Sequence, residues 1–330
     1  MEEGLSSTRK VLYAAMIANI AIVIAKMVAA AVTGSSAMLS EGIHSLVDTG
    51  NGGLLLVGLQ LSRRPADELH PFGYGRELYF WTMVVALAVF ALGGGVSIYE
   101  GILHLLRPHV LDHLRATYVV LACSALFEGS SLTLALREFR KSNPGLPLLQ
   151  SIRRSKDPAS FTVLFEDSAA VMGIAIAAGA TFLGRRYHTG WLDGAASILI
   201  GVLLMSVAML LGAKTKTLLI GEGLDKKSLH AICQLAAAIP GVERSGYPFT
   251  TFFGPQDALL AMTVQFRQGV SSRQVELSVD QIEERVRAQY PEIKHIFLEV
   301  DSVRERLPQD PADGPLPPQK EIELTALAEE

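Results

Sequence analysis

Ser36-Ala37-Met38-Leu39-Ser40-Glu41-Gly42-Ile43-His44-Ser45-Leu46-Val47-Asp48 opens an apolar segment that ends in a polar loop, Pro65-Ala66-Asp67-Glu68-Leu69-His70-Pro71-Phe72-Gly73-Tyr74-Gly75-Arg76. Residues four apart share a helix face, so the His44 imidazole and the Asp48 carboxylate stand about one turn apart and point the same way. That is half of a metal site. An ionisable pair inside a membrane-length segment is costly unless it faces a bundle interior or a wet cavity, and this marks a transport path. Glu41 lies three residues before His44, and Asn51, Gly52 and Gly53 follow Asp48 by a turn, where glycine admits a neighbouring helix closely.

Composition sets the solvent in which these residues act. Hydrophobic residues make up 49% of the chain and are gathered into long blocks, which reads as a membrane protein. The net charge of -4 argues against general nucleic-acid binding. Cys123 and Cys233 are too far apart to suggest a thiolate metal site or a disulfide framework. The Met-Glu-Glu start shows no short apolar core with a cleavage site, so no cleaved signal peptide is expected.

About 20 apolar residues cross a bilayer as a helix. Six blocks reach that length, near 11–33, 37–61, 79–103, 116–137, 161–183 and 192–212. Lys and Arg cluster on one side, including Arg63, Arg64, Arg140, Lys141, Lys214 and Lys216, against Arg107, Arg115, Arg185 and Arg186 on the other. This asymmetry puts both termini in the cytoplasm.

Inside the blocks, each polar residue needs a reason. Asn19 and Lys26 share a stripe that faces neighbouring helices, with Lys26 expected to snorkel or to pair with a loop acid near the far interface. Tyr79-Phe80-Trp81 suits an interfacial belt, Gly93-Gly94-Gly95 is a weak point for helix rigidity, and Glu100 is an interfacial acid. His104, His109 and His113 read as solvated loop imidazoles, and Asn143-Pro144-Gly145 as a cytoplasmic turn. Glu128 is too deep in the fourth block to face lipid. Asp157-Pro158 starts the fifth block as a helix, and within it Glu166 and Asp167 differ by about 100 degrees, so they cannot share one face.

The run Gly34-Ser35-Ser36-Ala37-Met38 into His44-Ser45-Leu46-Val47-Asp48, then the His70-Pro71-Phe72-Gly73-Tyr74-Gly75-Arg76 loop, resembles the cation diffusion facilitator family of the zinc-transporter type, over about residues 9–302. The resemblance implies export of divalent transition metal from the cytoplasm in exchange for protons, by a homodimer, with no enzymatic activity and no resident cofactor. It also implies a membrane site with two ligands from the second span and two from the fifth. His44 and Asp48 match the first pair, and Asp167 matches the fifth-span acid because Gly173 then falls on the family's glycine. Val163 stands where the fourth ligand would be, leaving three protein ligands with Glu166 or Glu128 as candidate oxygen donors. Zinc accepts three protein ligands plus water, while more oxygen ligands shift preference toward manganese or iron. The adjacent Glu166-Asp167 resembles the mitochondrial zinc-transporter branch, so zinc comes first.

The resemblance also suggests a loop metal site in which Asp67 and His70 match, with Tyr74 replacing the second histidine. The alternative is a loop braced by hydrogen bonds of those two residues. Arg76 matches a basic residue that bridges to an acid, for which Glu222 is the candidate. After Lys214 the pattern turns soluble. Helices over 226–238 and 272–290 and strands over 258–266 and 295–300 read as a small α+β unit, similar to the family's ferredoxin-like dimerisation domain. Phe297 replaces its metal-binding histidine, although Glu299 keeps an acid, so little metal sensing is expected. The expected fold is therefore an α-helical membrane protein of six transmembrane helices with an α+β ferredoxin-like cytoplasmic domain. Its divisions are 1–10, a cytoplasmic N-terminus; 11–213, the transport domain; 214–304, the dimerisation domain; and 305–330, a disordered acidic tail. Expected partners are the metal ion, protons, membrane lipid and a second copy, in a bacterial inner membrane. The competing reading is a non-transporting scaffold or metal sensor of the same fold.

Overall fold

In the computed structural model, which describes residues 19–107, 114–142, 147–187 and 189–301, everything before residue 242 is helix and connecting loop. The first helix, α1, is described over Asn19–Thr33. It is followed by α2 (Ser36–Ser62), α3 (Glu77–Ala88), a π-helical stretch (Val89–Gly95), α4 (Val96–Leu106), α5 (Leu114–Ser142), α6 (Leu148–Arg154), α7 (Pro158–Tyr187) and α8 (Trp191–Leu219). Among the described residues, four helical runs combine membrane-crossing length with apolarity: Glu77–Leu106, Thr117–Lys141, Pro158–Tyr187 and Trp191–Leu219. The chain is a multi-pass membrane protein. Helix α2 has the length, at 27 residues, but Glu41, His44, Asp48 and Asn51 interrupt its apolar run. The N-terminal segment 1–10, the tail 305–330, His109, His113 and the Asn143-Pro144-Gly145 turn lie outside the described residues.

Local chemistry sets the helix boundaries. Gly34, at φ 68, takes the left-handed conformation that lets α1 turn directly into α2. Ser35 then caps α2 by accepting from the Met38 N–H at 3.1 Å. A second, tertiary cap comes from the start of α8, where the Asp193 carboxylate accepts from the N–H groups of Ser36 and Ala37 at 2.6 and 3.2 Å. A buried carboxylate at the positive end of a helix satisfies donors that no intrahelical carbonyl can reach. Helix α7 begins as its sequence suggests, with Asp157 accepting from the Ala159 N–H ahead of Pro158.

The tightest helix contact runs between α4 with its π-helical entry and α8. A Cβ on Gly101 would lie 2.7 Å from the Gly194 carbonyl oxygen, and one on Gly201 would lie 2.8 Å from that of Gly94. Two glycines seven residues apart on each antiparallel helix thus bring the backbones together, as small residues do where no hydrophobic force joins helices. The glycine run expected to weaken the third block is where the helix widens to π geometry. Tyr79 is interior rather than interfacial: it is fully buried, and its hydroxyl donates to the Lys156 carbonyl at 3.4 Å.

The C-terminal unit adds α9 (Lys226–Ala237), β1 (Val242–Ser245), β2 (Phe249–Gly254), β3 (Asp257–Phe266), α10 (Ser272–Gln289) and β4 (Ile293–Asp301). Strands β1 and β2 both pair antiparallel with β3, at opposite ends of it, and β4 pairs with β3 in parallel after crossing through α10. Alternate β3 residues Ala258, Leu260, Met262 and Val264 are buried with Ile232 of α9 and Ile282 and Val286 of α10. The sequence reading missed β1, β2 and α6. The Phe249-Thr250-Thr251-Phe252-Phe253 run, bounded by Pro248 and Gly254, carried the β2 signal.

The loop after α2 docks on this unit. Phe72 stacks on Phe253 with ring centroids 4.5 Å apart, and Arg76 lies over the same ring at 5.1 Å. The expected bridge from Arg76 to Glu222 is not formed. Lys156 takes Glu222 at 2.7 Å and Lys214 at 3.2 Å, because both ammonium groups converge on the carboxylate from the ends of α7 and α8. The Glu222 carbonyl meanwhile accepts from the Phe252 N–H at 3.2 Å, so one residue ties the bundle to β2. Burial alone would raise the Glu222 carboxyl; Lys156, Thr217 and Lys214 reverse that and hold it below the ordinary glutamate value of 4.5. A depressed carboxyl stabilises the fold above its unfolded value, and that contribution is lost as pH falls through the folded one.

Two outcomes follow. Gly101→Val should lower the melting temperature in detergent, at a cost of about 1–3 kcal/mol for overpacking, whereas Gly129→Ala, with open space around its Cβ position inside α5, should leave it unchanged or raise it, since alanine favours a helix by about 1 kcal/mol over glycine. Equal melting of both variants would show that the glycine contact is slack. Glu222→Gln should melt below wild type at pH 7, and the gap should close as pH falls below 4.5. A gap independent of pH would mean that the carboxylate charge is not what holds the joint.

Candidate functional site

Four carboxylates from three helices meet at one cavity of about 210 Å³ within the bundle: Asp48 of α2, Glu128 of α5, and Glu166 and Asp167 of α7. Ser45, Thr49, Ser131 and Val163 also line it. Such a polar space has room for an ion with several waters. Val163 presents a methyl surface there, so the residue four before Asp167 contributes no donor.

The neighbouring acids of α7 part company as their angular separation requires. Glu166 turns to α2, where the Asn51 amide donates to it at 2.8 Å, and Asp167 turns to α5, where the Ser131 hydroxyl donates to it at 2.8 Å. Each acid therefore has a neutral donor that fixes its rotamer and leaves other lone pairs for a ligand.

His44 and Asp48 pair on α2 with Nδ1 3.4 Å from Oδ1. His44 is buried, is not on the cavity wall, and neither of its ring nitrogens has a hydrogen-bond partner; nor does Asp48 Oδ1. Buried polar atoms are almost always satisfied, so His44 Nε2 without a partner, beside an Nδ1–Oδ1 pair that approaches to 3.4 Å without forming a hydrogen bond, is a sign of ligand capacity. Among the described residues, no three His, Cys, Asp or Glu side chains are close enough together to enclose a metal ion. The structure thus assembles Asp48, Asp167, Glu166 and Glu128 around one space, with His44 beside Asp48, in an open arrangement.

Lys26 departs from expectation. It neither snorkels nor meets a loop acid; it is fully buried and lies 3.2 Å from Glu41, 3.7 Å from Glu128 and 2.7 Å from the Ser45 hydroxyl. An ammonium this deep requires opposite charge at contact distance, and two acids on different helices supply it. His104, expected in a solvated loop, is instead buried at the end of α4 with Nε2 3.8 Å from Asp193.

At the loop, Asp67 Oδ2 accepts from the Tyr74 hydroxyl at 2.7 Å, and Oδ1 accepts from the His70 N–H at 2.7 Å and the Leu69 N–H at 3.0 Å. His70 Nδ1 stands 3.3 Å from the same oxygen. The Tyr74 hydroxyl first, then the His70 N–H, hold the Asp67 carboxyl below its ordinary value of 3.8, and the same bond raises the Tyr74 phenol. Both carboxylate oxygens already serve the turn. In the C-terminal unit Phe297 is exposed, and Glu299 accepts from the Thr263 hydroxyl at 3.3 Å.

Sequence comparison gives this geometry a context. The chain is 29% identical over 314 residues to "Proton-coupled zinc antiporter SLC30A9, mitochondrial" of Xenopus laevis, covering 83% of this chain and 56% of that one. It is 35% identical over 200 residues to "Metal tolerance protein C4" of Arabidopsis thaliana, covering 60% and 44%. It is also 25% identical over 275 residues to "Cation-efflux pump FieF" of Klebsiella pneumoniae, covering 82% and 85%. The chain spans about half the length of the first of these relatives. With residues 12–220 matching the family described as "Cation efflux transmembrane domain", the chain belongs to the cation diffusion facilitator family.

Proposed function

We propose that this protein exports a divalent transition metal, zinc first, from the cytoplasm in exchange for protons. The observation that carries the reading is the convergence of acids from α2, α5 and α7 on one intramembrane cavity, beside buried His44 and Asp48 atoms with no hydrogen-bond partner. Polar groups are retained at such depth where they face a transport path. The antiporter and efflux-pump names of the relatives support the same direction.

In this reading His44, Asp48 and Asp167 are the ligands, with water at the fourth position left by Val163. Asn51 holds Glu166 and Lys26 holds Glu128, so both stand beside the ligand set. Metal binding requires His44 with a free ring nitrogen and both aspartates ionised, so loading displaces protons and reprotonation from outside favours release. Closing a three-ligand set around the ion requires the helices to move together from the open arrangement. Alternation between open and closed forms is the step that would carry the ion across.

The remaining assignments belong to the same proposal. They are six spans with both termini cytoplasmic, a bacterial inner membrane, a homodimer joined through residues 214–304, and a loop and C-terminal unit that serve packing more than metal binding. Relatives with mitochondrial names make the organelle membrane the alternative location. Manganese or iron is the alternative cargo should a carboxylate join the set.

Inside-out vesicles with an imposed proton gradient test the site. Wild type should take up zinc, and Asp48→Ala or Asp167→Ala should cut uptake at least about tenfold, the scale at which lost ligand-shell contacts act. Uptake that survives both substitutions rules out this site. Purified wild type that moves no zinc, manganese or iron in liposomes favours the scaffold or sensor reading.

A further inference from the structure

Lys26 holds Glu128 beside the cavity without itself being a ligand. Its side chain is wholly buried on α1 and reaches two acids and a hydroxyl on two other helices. Glu41, also wholly buried, is enough to neutralise it, and Ser45 fixes its direction with a 2.7 Å hydrogen bond. Glu41 is itself held against α7, where its Oε1 packs on Gly173 with no room for a Cβ between them. Lys26 therefore has little freedom to leave. Glu128, at 3.7 Å, is the second and looser partner, and it also lines the cavity with Asp48 and Asp167.

Glu128 thus lies between a fixed monovalent cation and the space proposed for a divalent one. A carboxylate with an ammonium at contact distance in a low-dielectric site has part of its charge already answered, and moving it onto the ion would strip that ammonium of its second acid. Resting on the transport reading above, we propose that Lys26 is a specificity-determining residue. Its charge keeps Glu128 off the ion, so the cargo is bound by one imidazole and two aspartates rather than by a set enriched in oxygen.

This role has two consequences. Binding is weaker than a four-ligand cage would give, which favours release, and oxygen-preferring ions lose the carboxylate that would favour them over zinc. A structural brace alone would move neither affinity nor ion preference in a set direction.

The test uses the full chain in proteoliposomes with zinc and manganese as the ions measured. Lys26→Met keeps most of the side-chain length and removes the charge. The apparent KM for zinc should fall about tenfold, the maximal rate should fall with it, and the manganese-to-zinc rate ratio should rise about tenfold. Lys26→Arg should stay near wild type, and Lys26→Met with Glu128→Gln should return KM and the ratio toward wild type. Should Lys26→Met fail to fold because Glu41 is left unpaired, Lys26→Met with Glu41→Gln removes both charges and answers the same question. Wild-type KM and ion ratio in the folded charge-free variant overturn the proposal, as do changes that Glu128→Gln does not reverse. A wild type without flux instead overturns the transport reading itself.

Discussion

A charge buried among apolar helices has to be met by another helix, and that requirement arranges the N-terminal bundle. Lipid offers no hydrogen-bond partner, so each acid or base selects a neighbour: Lys26 joins α1 to α2 and α5, Asn51 joins α2 to α7, and Ser131 joins α5 to α7. These contacts close a ring of four helices around the cavity. Apolar packing alone would not choose among rotations of such helices, since one greasy face resembles another in lipid. The polar pairs set the rotation, and by setting it they turn the carboxylates inward.

The other half of the bundle is held by backbone proximity. Gly94 and Gly101 against Gly201 and Gly194 bring α4 and α8 to within a side chain's thickness, and Ser197 adds a 2.8 Å bond to the Ser97 carbonyl. Asp193, at the head of α8, then caps α2. In contrast, only 11% of the apolar stretch of α5 is buried, and among the described elements it packs on α7, with Lys26 of α1 reaching its Glu128. The bundle therefore has a close-packed side, α4 with α8, and a loosely packed side that carries Glu128 and Ser131.

Much of this was readable from the sequence wherever the reason was local. The i, i+4 spacing placed His44 and Asp48 on one face, the 100-degree step separated Glu166 from Asp167, and Asp157-Pro158 marked the start of α7. What sequence could not show depended on distant partners. Lys26 meets Glu128 from 102 residues away in the chain, and Asp193 caps a helix 157 residues before it; no spacing rule spans such gaps. Arg76 was matched to the wrong partner for a similar reason. Glu222 was taken by Lys156 and Lys214, whose convergence appears only once α7 and α8 are packed. Strands β1 and β2 escaped because Gly246-Tyr247-Pro248 splits one edge of the sheet into two short pieces, each below the length at which alternation is legible.

These restraints bear unequally on α2, the helix that carries His44 and Asp48. The N-terminus of α2 is fixed by Asp193, and its C-terminal loop is fixed by Phe72 on Phe253 and by Gly75 packed against the Phe253 carbonyl, where a Cβ would come within 2.5 Å. With both ends held, α2 is poorly placed to swing, and rotating it would drag His44 and Asp48 away from their neighbours together. Asp167 and Glu128 sit on α7 and α5, which meet each other extensively while little of the apolar stretch of α5 is buried. A change that brings acids toward or away from a fixed imidazole and aspartate therefore costs least as a shift of α5 and α7 against α2. The contact that must yield in such a shift is Asn51–Glu166, a single hydrogen bond, while Glu128 stays within reach of the Lys26 ammonium.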